Sequence, residues 1–240
     1  MTRTAVVTGA LGGIGGATCE LLAERGFDVV GVDVRAGTDV CVDIGDAEAT
    51  EAALSAVLDG RQVCALVNNA AFQLTNTIEH LDDASWRQVM DVNVSAAHRL
   101  TRLLAPSLRA ARGAVVNVSS VHALASTAGM AAYAASKAAL VAYTRVSALE
   151  LAPAVRVNAV LPGAVQTRML EDGLARFASD DQGRRAAIER LVSRTPLERV
   201  GDPREIATVI AFLLDDDQSA FLTGTTIVAD GGVSARLASE

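Results

Sequence analysis

Positive charge is in deficit in this 240-residue sequence: 21 Lys and Arg stand against 28 Asp and Glu, giving a net charge of −7. A nucleic-acid or anionic-membrane surface needs clustered Lys and Arg, so the balance argues against both partners. No apolar run reaches 18 residues, which argues against a membrane-spanning helix. The opening MTRTAVVTGA has one Arg and a very short apolar run, unlike a secretory signal. Cysteine is scarce and odd in number. Cys19, Cys41 and Cys64 form no CxxC pair. Their apolar neighbourhoods predict reduced core or near-core thiols, and the cytoplasm is the expected compartment. His80, His98 and His122 offer no ligand pair at metal spacing, and no metal is expected. No Pro/Ser-rich linker, repeat or low-complexity tail divides the chain, so one domain over 1–240 is expected. Aromatics make up only 3% of the residues, and both tyrosines, Tyr133 and Tyr143, lie in one alanine-rich stretch, AGMAAYAASKAALVAY at 128–143.

Short β-branched runs are plentiful. They fall at 4–8, 28–33, 39–43, 63–68, 114–119, 155–160 and 226–230, and are almost wholly apolar rather than alternating. Strands buried on both faces of a parallel sheet have that pattern. Helix-like stretches lie between them, near 14–25, 46–59, 83–110, 131–152 and 203–215. Strand–helix alternation from end to end predicts a doubly wound α/β sheet with helices on both faces. A charged segment at 164–200 breaks the rhythm. It opens with Met169, Leu170, Leu174 and Phe177 and continues into SDDQGRR, and its length predicts a lid.

VVTGALGGIGGATCELLAERG follows the first strand and opens the first helix. Gly9, Gly13 and Gly15 allow a tight turn and close approach of the backbone to a pyrophosphate, which the helix N-terminus then favours. That context predicts a dinucleotide site, including Leu11, Gly12 and Ile14 of the same loop. Asp33 ends the second strand, where a carboxylate can accept both ribose hydroxyls and repel a 2′-phosphate. No basic residue lies inside the loop, and Arg35 is close by. NAD is therefore expected ahead of NADP.

Tyr133 and Lys137 stand at i and i+4, on one face of a helix. An ammonium beside a phenol favours tyrosinate and is expected to lower the phenol's pKa toward neutrality, making Tyr133 a general acid or base. Tyr143 has Ser147 four residues on and is expected to pack. Ser119 and Ser120 follow a central strand at its carboxyl end, where ligands bind in such sheets.

Taken together, TGALGGIG at 8–15, NNAA at 68–71, Asn93 of DVNVS, Ser120 of VSS, YAASK at 133–137 and PGAVQT at 162–167 resemble the classical short-chain dehydrogenase/reductase family, in family order across essentially the whole chain. The resemblance implies a Rossmann-type, mostly parallel seven-stranded sheet, a nicotinamide cofactor and hydride transfer between a secondary alcohol and a ketone. It implies that Tyr133 is the acid/base, that Lys137 lowers its pKa and holds the nicotinamide ribose, that Ser120 bonds the substrate oxygen, and that Asn93 supports a proton-relay water. Asp43 and Ile44 resemble the adenine contacts; Asn69, Ala70, Val165 and Thr167 resemble further cofactor contacts. Ala71 stands where the family usually has Gly, which puts the local bend in question.

The resemblance places a substrate pocket at Phe72, Gln73, His122 and Met169, with Leu124 and Leu170 adding apolar wall and Gln73 and His122 able to address hydroxyls. Arg168, Arg176, Arg184 and Arg185 either meet an anionic substrate or balance nearby acids on a solvated lid. Family members often form tetramers through two long helices, so a homo-oligomer, tetramer or dimer, is expected, with Val89, Val92, Leu100 and Leu103 as candidate surface. Two alternatives stand beside the alcohol dehydrogenase or ketoreductase: a dinucleotide-sensing protein without turnover, and an NADPH-dependent 3-oxoacyl reductase.

Overall fold

A computed structural model describes residues 3–175 and 180–235. In chain order the elements are β1 (Arg3–Thr8), α1 (Gly13–Glu24), β2 (Phe27–Asp33), β3 (Val40–Cys41), α2 (Ala47–Val57), β4 (Val63–Asn68), α3 (Asp83–Met90), α4 (Ala96–Ala111) and β5 (Ala114–Val118). Then follow α5 (Ala131–Leu151), β6 (Arg156–Pro162), α6 (Arg168–Ala175), α7 (Asp181–Arg194), α8 (Pro203–Leu214), α9 (Asp216–Ser219) and β7 (Thr226–Ala229).

The seven strands form one parallel sheet in the order β3-β2-β1-β4-β5-β6-β7. The chain moves outward from β1 to β3, then returns past β1 to β4. That reversal leaves a crevice beyond the carboxyl ends of β1 and β4, the place where open α/β sheets bind ligands. The apolar strands are explained by burial on both faces. Ala5 and Val7 of β1 join Leu21 and Leu22 of α1 and Ile206 and Ile210 of α8. Val6, between them, joins Leu54 of α2 and Leu100 and Leu104 of α4. Each fully buried Leu or Ile contributes about 1.5–3 kcal/mol relative to exposure.

Several sequence expectations are corrected. The run at 39–43 shortens to a two-residue strand. Only residues 34–39 link β2 to β3, too few for the usual crossover helix. An open cavity of about 600 Å³ stands beside α1, lined in part by Leu11, Cys19, Glu20, Val29 and Asp39. Cys41, expected near the core, is exposed at this thin edge; Cys19 and Cys64 are half-buried. The helix expected over 83–110 is interrupted by a π-helical turn, Asp91–Ser95, between α3 and α4. Val89 and Leu100, expected on an oligomer surface, are turned into this chain's own core. The 164–200 segment holds two helices that the hydrophobic pattern did not signal, α6 and α7, the latter N-capped by Asp180. Arg176 and Phe177 lie outside the described residues. Among the described residues no helix is long and apolar enough to cross a membrane.

Candidate active site

The turn after β1 is built around glycine. Gly9 has φ +67°, a conformation strained for any side chain. A Cβ at Gly15 would collide with the Gly9 carbonyl oxygen. A Cβ at Gly13 would meet Thr167 Cγ2 at 2.6 Å. The helix start stays open: Gly12, its N-cap, supplies no side-chain cap, and the first turn of α1 holds no acid. Such an N-terminus favours a phosphate, and the missing side chains leave room for one. Asn69 donates from Nδ2 to the carbonyls of Thr8 (2.9 Å) and Gly9 (3.3 Å), so its amide braces the turn. The Thr8 hydroxyl accepts from the N–H groups of Asn69 and Ala70, both at 3.0 Å, tying the second expected contact loop to the first. Val165 is buried and its carbonyl accepts from the Thr167 hydroxyl at 3.3 Å, which holds Thr167 over the glycines. Ala71 is absent from the positive-φ residues, so its backbone makes no demand for glycine.

Asp33 closes β2 with its carboxylate almost wholly buried. Oδ1 accepts from Arg35 N and Nε, both at 3.0 Å; Oδ2 accepts from Leu11 N at 3.0 Å and Arg35 Nη2 at 3.2 Å. Burial works to raise the Asp33 pKa, but the Arg35 fork and the backbone N–H groups outweigh it and hold the carboxyl below its ordinary value. Arg35 is thus engaged with Asp33. The neighbouring cavity contributes Glu20 and Asp39 and no basic residue to its lining. Asp43 and buried Ile44 form the next loop. Arg99 of α4, which sequence reasoning missed, donates from Nη2 to the carbonyls of Ile44 (2.6 Å) and Gly45 (3.2 Å) and fixes that loop.

Ser120, Tyr133, Lys137 and Asn93 are all buried, at 7%, 6%, 2% and 2% exposure. Ser120 lies just beyond β5, and Tyr133 and Lys137 one turn apart on α5. The Ser120 hydroxyl is placed to act on the Tyr133 phenol, and its influence favours the ionised form. The expected draw of Lys137 on the phenol toward neutrality is not seen: Lys137 is not among the groups that shift Tyr133. Burial dominates both groups: it pushes the Tyr133 pKa up to about 12 and the Lys137 pKa down to about 7. Lys137 Nζ lies 5.6 Å from the Tyr133 ring centre and donates to the Val118 carbonyl at 2.8 Å. Ser119 reinforces this seat by donating to the Lys137 carbonyl at 2.8 Å.

Asn93 lies in the π-helical turn with its side chain committed. Oδ1 accepts from Phe72 N at 2.7 Å, and Nδ2 donates to Phe72 O at 3.0 Å and Ser136 Oγ at 2.9 Å. Ser136 Oγ in turn donates to the Tyr133 carbonyl at 2.7 Å. The side chain therefore positions the Phe72 backbone and the Tyr133 turn. A π turn at a functional residue is a recurring arrangement.

Among the residues expected at a substrate pocket, His122 stands edge-on to Tyr133, with ring centres 5.8 Å apart. Gln73 Nε2 lies 3.9 Å from Met130 Sδ, and a Cβ at Gly173 of α6 would meet it at 3.5 Å. Met169 of α6 is 37% exposed. Tyr143, by contrast, packs edge-on against His98. Met130 and Ser136 were missed as site neighbours. A cue for Lys137 was also available in composition, since it is the sequence's one lysine.

This geometry can hold a dinucleotide across the glycine turn and exchange a proton at Tyr133. A family model described as enoyl-(acyl carrier protein) reductase matches residues 9–234. The 3-oxoacyl-acyl-carrier-protein reductase of Vibrio cholerae is 34% identical over 247 residues, covering 96% of this chain and 97% of the relative. The Thermotoga maritima protein of the same name is 33% identical over 251 residues, with 96% and 97% covered. Ligand-free aldohexose dehydrogenase from Thermoplasma acidophilum superposes with a TM-score of 0.93 at 29% identity, covering 99% of this chain and 96% of that one. 4-Hydroxyisoleucine dehydrogenase complexed with NADH gives 0.88 at 29% identity, with 98% and 100% covered.

Proposed function

The chain belongs to the short-chain dehydrogenase/reductase family, and from that premise we propose that it is an NAD(H)-dependent alcohol dehydrogenase or ketoreductase using Tyr133 as acid/base. The observation that carries the reading is the meeting of Ser120, Tyr133 and Lys137 at the carboxyl end of β5, beside a glycine turn whose side-chain-free surface fits a pyrophosphate. The nicotinamide, when bound, supplies the hydride acceptor or donor. Gly9, Gly12, Gly13 and Gly15 hold the phosphates, Asp33 the adenosine ribose, and Lys137 the nicotinamide ribose. The Asp43–Ile44 loop and Leu11 border the adenine end; Ile14, Asn69, Ala70, Val165 and Thr167 complete the cradle. In the oxidative direction the Tyr133 phenolate takes the carbinol proton while Ser120 holds the substrate oxygen; in reduction the phenol donates that proton to the forming alkoxide.

NAD is favoured over NADP by two acidic features. Asp33 closes β2 where a 2′-phosphate would come, with Arg35 offsetting part of its charge, and Glu20 and Asp39 line the cavity beside α1. The 3-oxoacyl reductases among the relatives support a second reading, reduction of a 3-oxoacyl thioester. The aldohexose and 4-hydroxyisoleucine dehydrogenases support small hydroxylated substrates. Within 164–200, the described helices α6 and α7 are read as a substrate cover. A homo-oligomer is part of the reading, supported by Val146 and Leu149 of α5, apolar and 52% and 80% exposed.

Tyr133→Phe tests the assignment. It should lower kcat by about 10²–10⁴-fold, the range typical of a positioned acid/base, while fluorescence titration shows NADH affinity little changed. Retention of most turnover in the variant would remove Tyr133 from its role.

A further inference from the structure

We propose that His122 is a substrate-recognition residue whose Nε2 holds a second substrate oxygen beside the reacting one, so that the substrate class is a vicinal diol or hydroxy ketone. This rests on the dehydrogenase reading above and narrows it. The 3₁₀ turn Val121–Ala123 begins at Ser120, whose Oγ accepts from His122 N at 3.2 Å. The ring is fixed at its other side by a hydrogen bond between Nδ1 and Ser126 Oγ, 3.0 Å long. It meets the Tyr133 ring at an interplanar angle of 79°. The His122 imidazole is thus held next to both Ser120 and the Tyr133 ring.

Nδ1 is used, yet among the described residues Nε2 has no hydrogen-bond partner. Half-burial of the ring lowers the His122 pKa below its ordinary value of 6.5, so the imidazole is neutral at pH 7. A neutral ring nitrogen offers a directed hydrogen bond rather than a charge, which suits a hydroxyl or carbonyl better than a carboxylate. Whichever tautomer Ser126 selects, the other nitrogen is left to donate or accept, and a hydroxyl can answer either. A site that keeps a polar group for a substrate oxygen discriminates strongly against the analogue lacking it. On the Met130 side, the Gln73 carboxamide adds a second group able to address a hydroxyl.

The test compares kcat/KM within matched pairs, 3-hydroxybutan-2-one against butan-2-one and cis-cyclohexane-1,2-diol against cyclohexanol. Wild type, His122→Leu and His122→Gln are assayed, and NADH and NADPH binding is measured separately by fluorescence. Wild type should prefer the member with two oxygens by at least about ten-fold, His122→Leu should cut that preference to within about three-fold, and His122→Gln should restore part of it. A general packing role would instead lower both members of each pair in proportion, and that result overturns the proposal. So does a wild type that binds NADH but shows no preference within the pairs, an outcome that leaves the dehydrogenase reading standing. Failure to bind either NADH or NADPH sinks both.

Discussion

At the scale of single residues, the site turns on two groups whose proton affinities burial has moved in opposite directions. Lys137 is the sequence's one lysine, so lysine-selective ¹³C labelling gives a single side-chain resonance to titrate. Its midpoint in the ligand-free protein should lie at about 7, where burial places it. A midpoint near the ordinary 10.5 would contradict the buried seat on the Val118 carbonyl. The sign of the linked stability follows. Between about 7 and 10.5 the unfolded chain binds the proton that folded Lys137 has released, so Lys137 makes stability rise with pH through that window. Tyr133 acts the other way, but only above its ordinary value of 10.0. The identity of the pair was legible in the sequence because i and i+4 share a helix face. The direction of the Tyr133 shift was not, because desolvation depends on elements brought together from across the chain. Asn93 gives a similar lesson. Its motif could be read, but not its hydrogen bonds to Phe72 and Ser136, residues 21 and 43 positions away.

At the scale of elements, the strand–turn–helix unit at the start of the chain makes the most definite demand. Gly15→Ala places a methyl against the Gly9 carbonyl oxygen and forces the turn to shift. Overpacking of this kind typically costs about 1–3 kcal/mol, so NADH affinity should fall by about 10–100-fold. Gly16→Ala is the control, since its Cβ would meet only the Ala10 carbonyl oxygen at an ordinary 3.5 Å. Equal affinity in the two variants would contradict the cradle. The glycines, strands and central helices were legible because they follow period and composition. The π turn at 91–95 was hidden inside a pattern that reads as one helix. The short β3 could not be told from a full strand, since DVCVD has ordinary strand character and its length is set by the connection of residues 34–39. α7 escaped because its charged sequence carries little apolar stripe; its N-cap, Asp180, was the local signal available.

At the scale of the whole molecule, the sheet order fixes where chemistry happens and the charge decides which cofactor suits it. The reversal at β1 brings the glycine turn, Asp33 and the Ser120–Tyr133–Lys137 group around the carboxyl edge of one sheet, although they span residues 9 to 137 in sequence. The doubly wound class was readable from alternation alone. Arg35's bidentate hold on Asp33 was not, because two charged residues two positions apart can as easily point into solvent. The cavity lined by Glu20 and Asp39 likewise emerges only once α1 and the β2–β3 connection are set side by side. The central claim joins the family's cofactor cradle to this acidic edge, and a fluorescence titration of the purified protein with NADH and, separately, NADPH tests it most directly. NADH should bind at least about ten-fold more tightly, since a carboxylate closing β2 can accept both ribose hydroxyls and disfavours a 2′-phosphate even with Arg35 offsetting part of its charge; equal or tighter binding of NADPH would contradict the account.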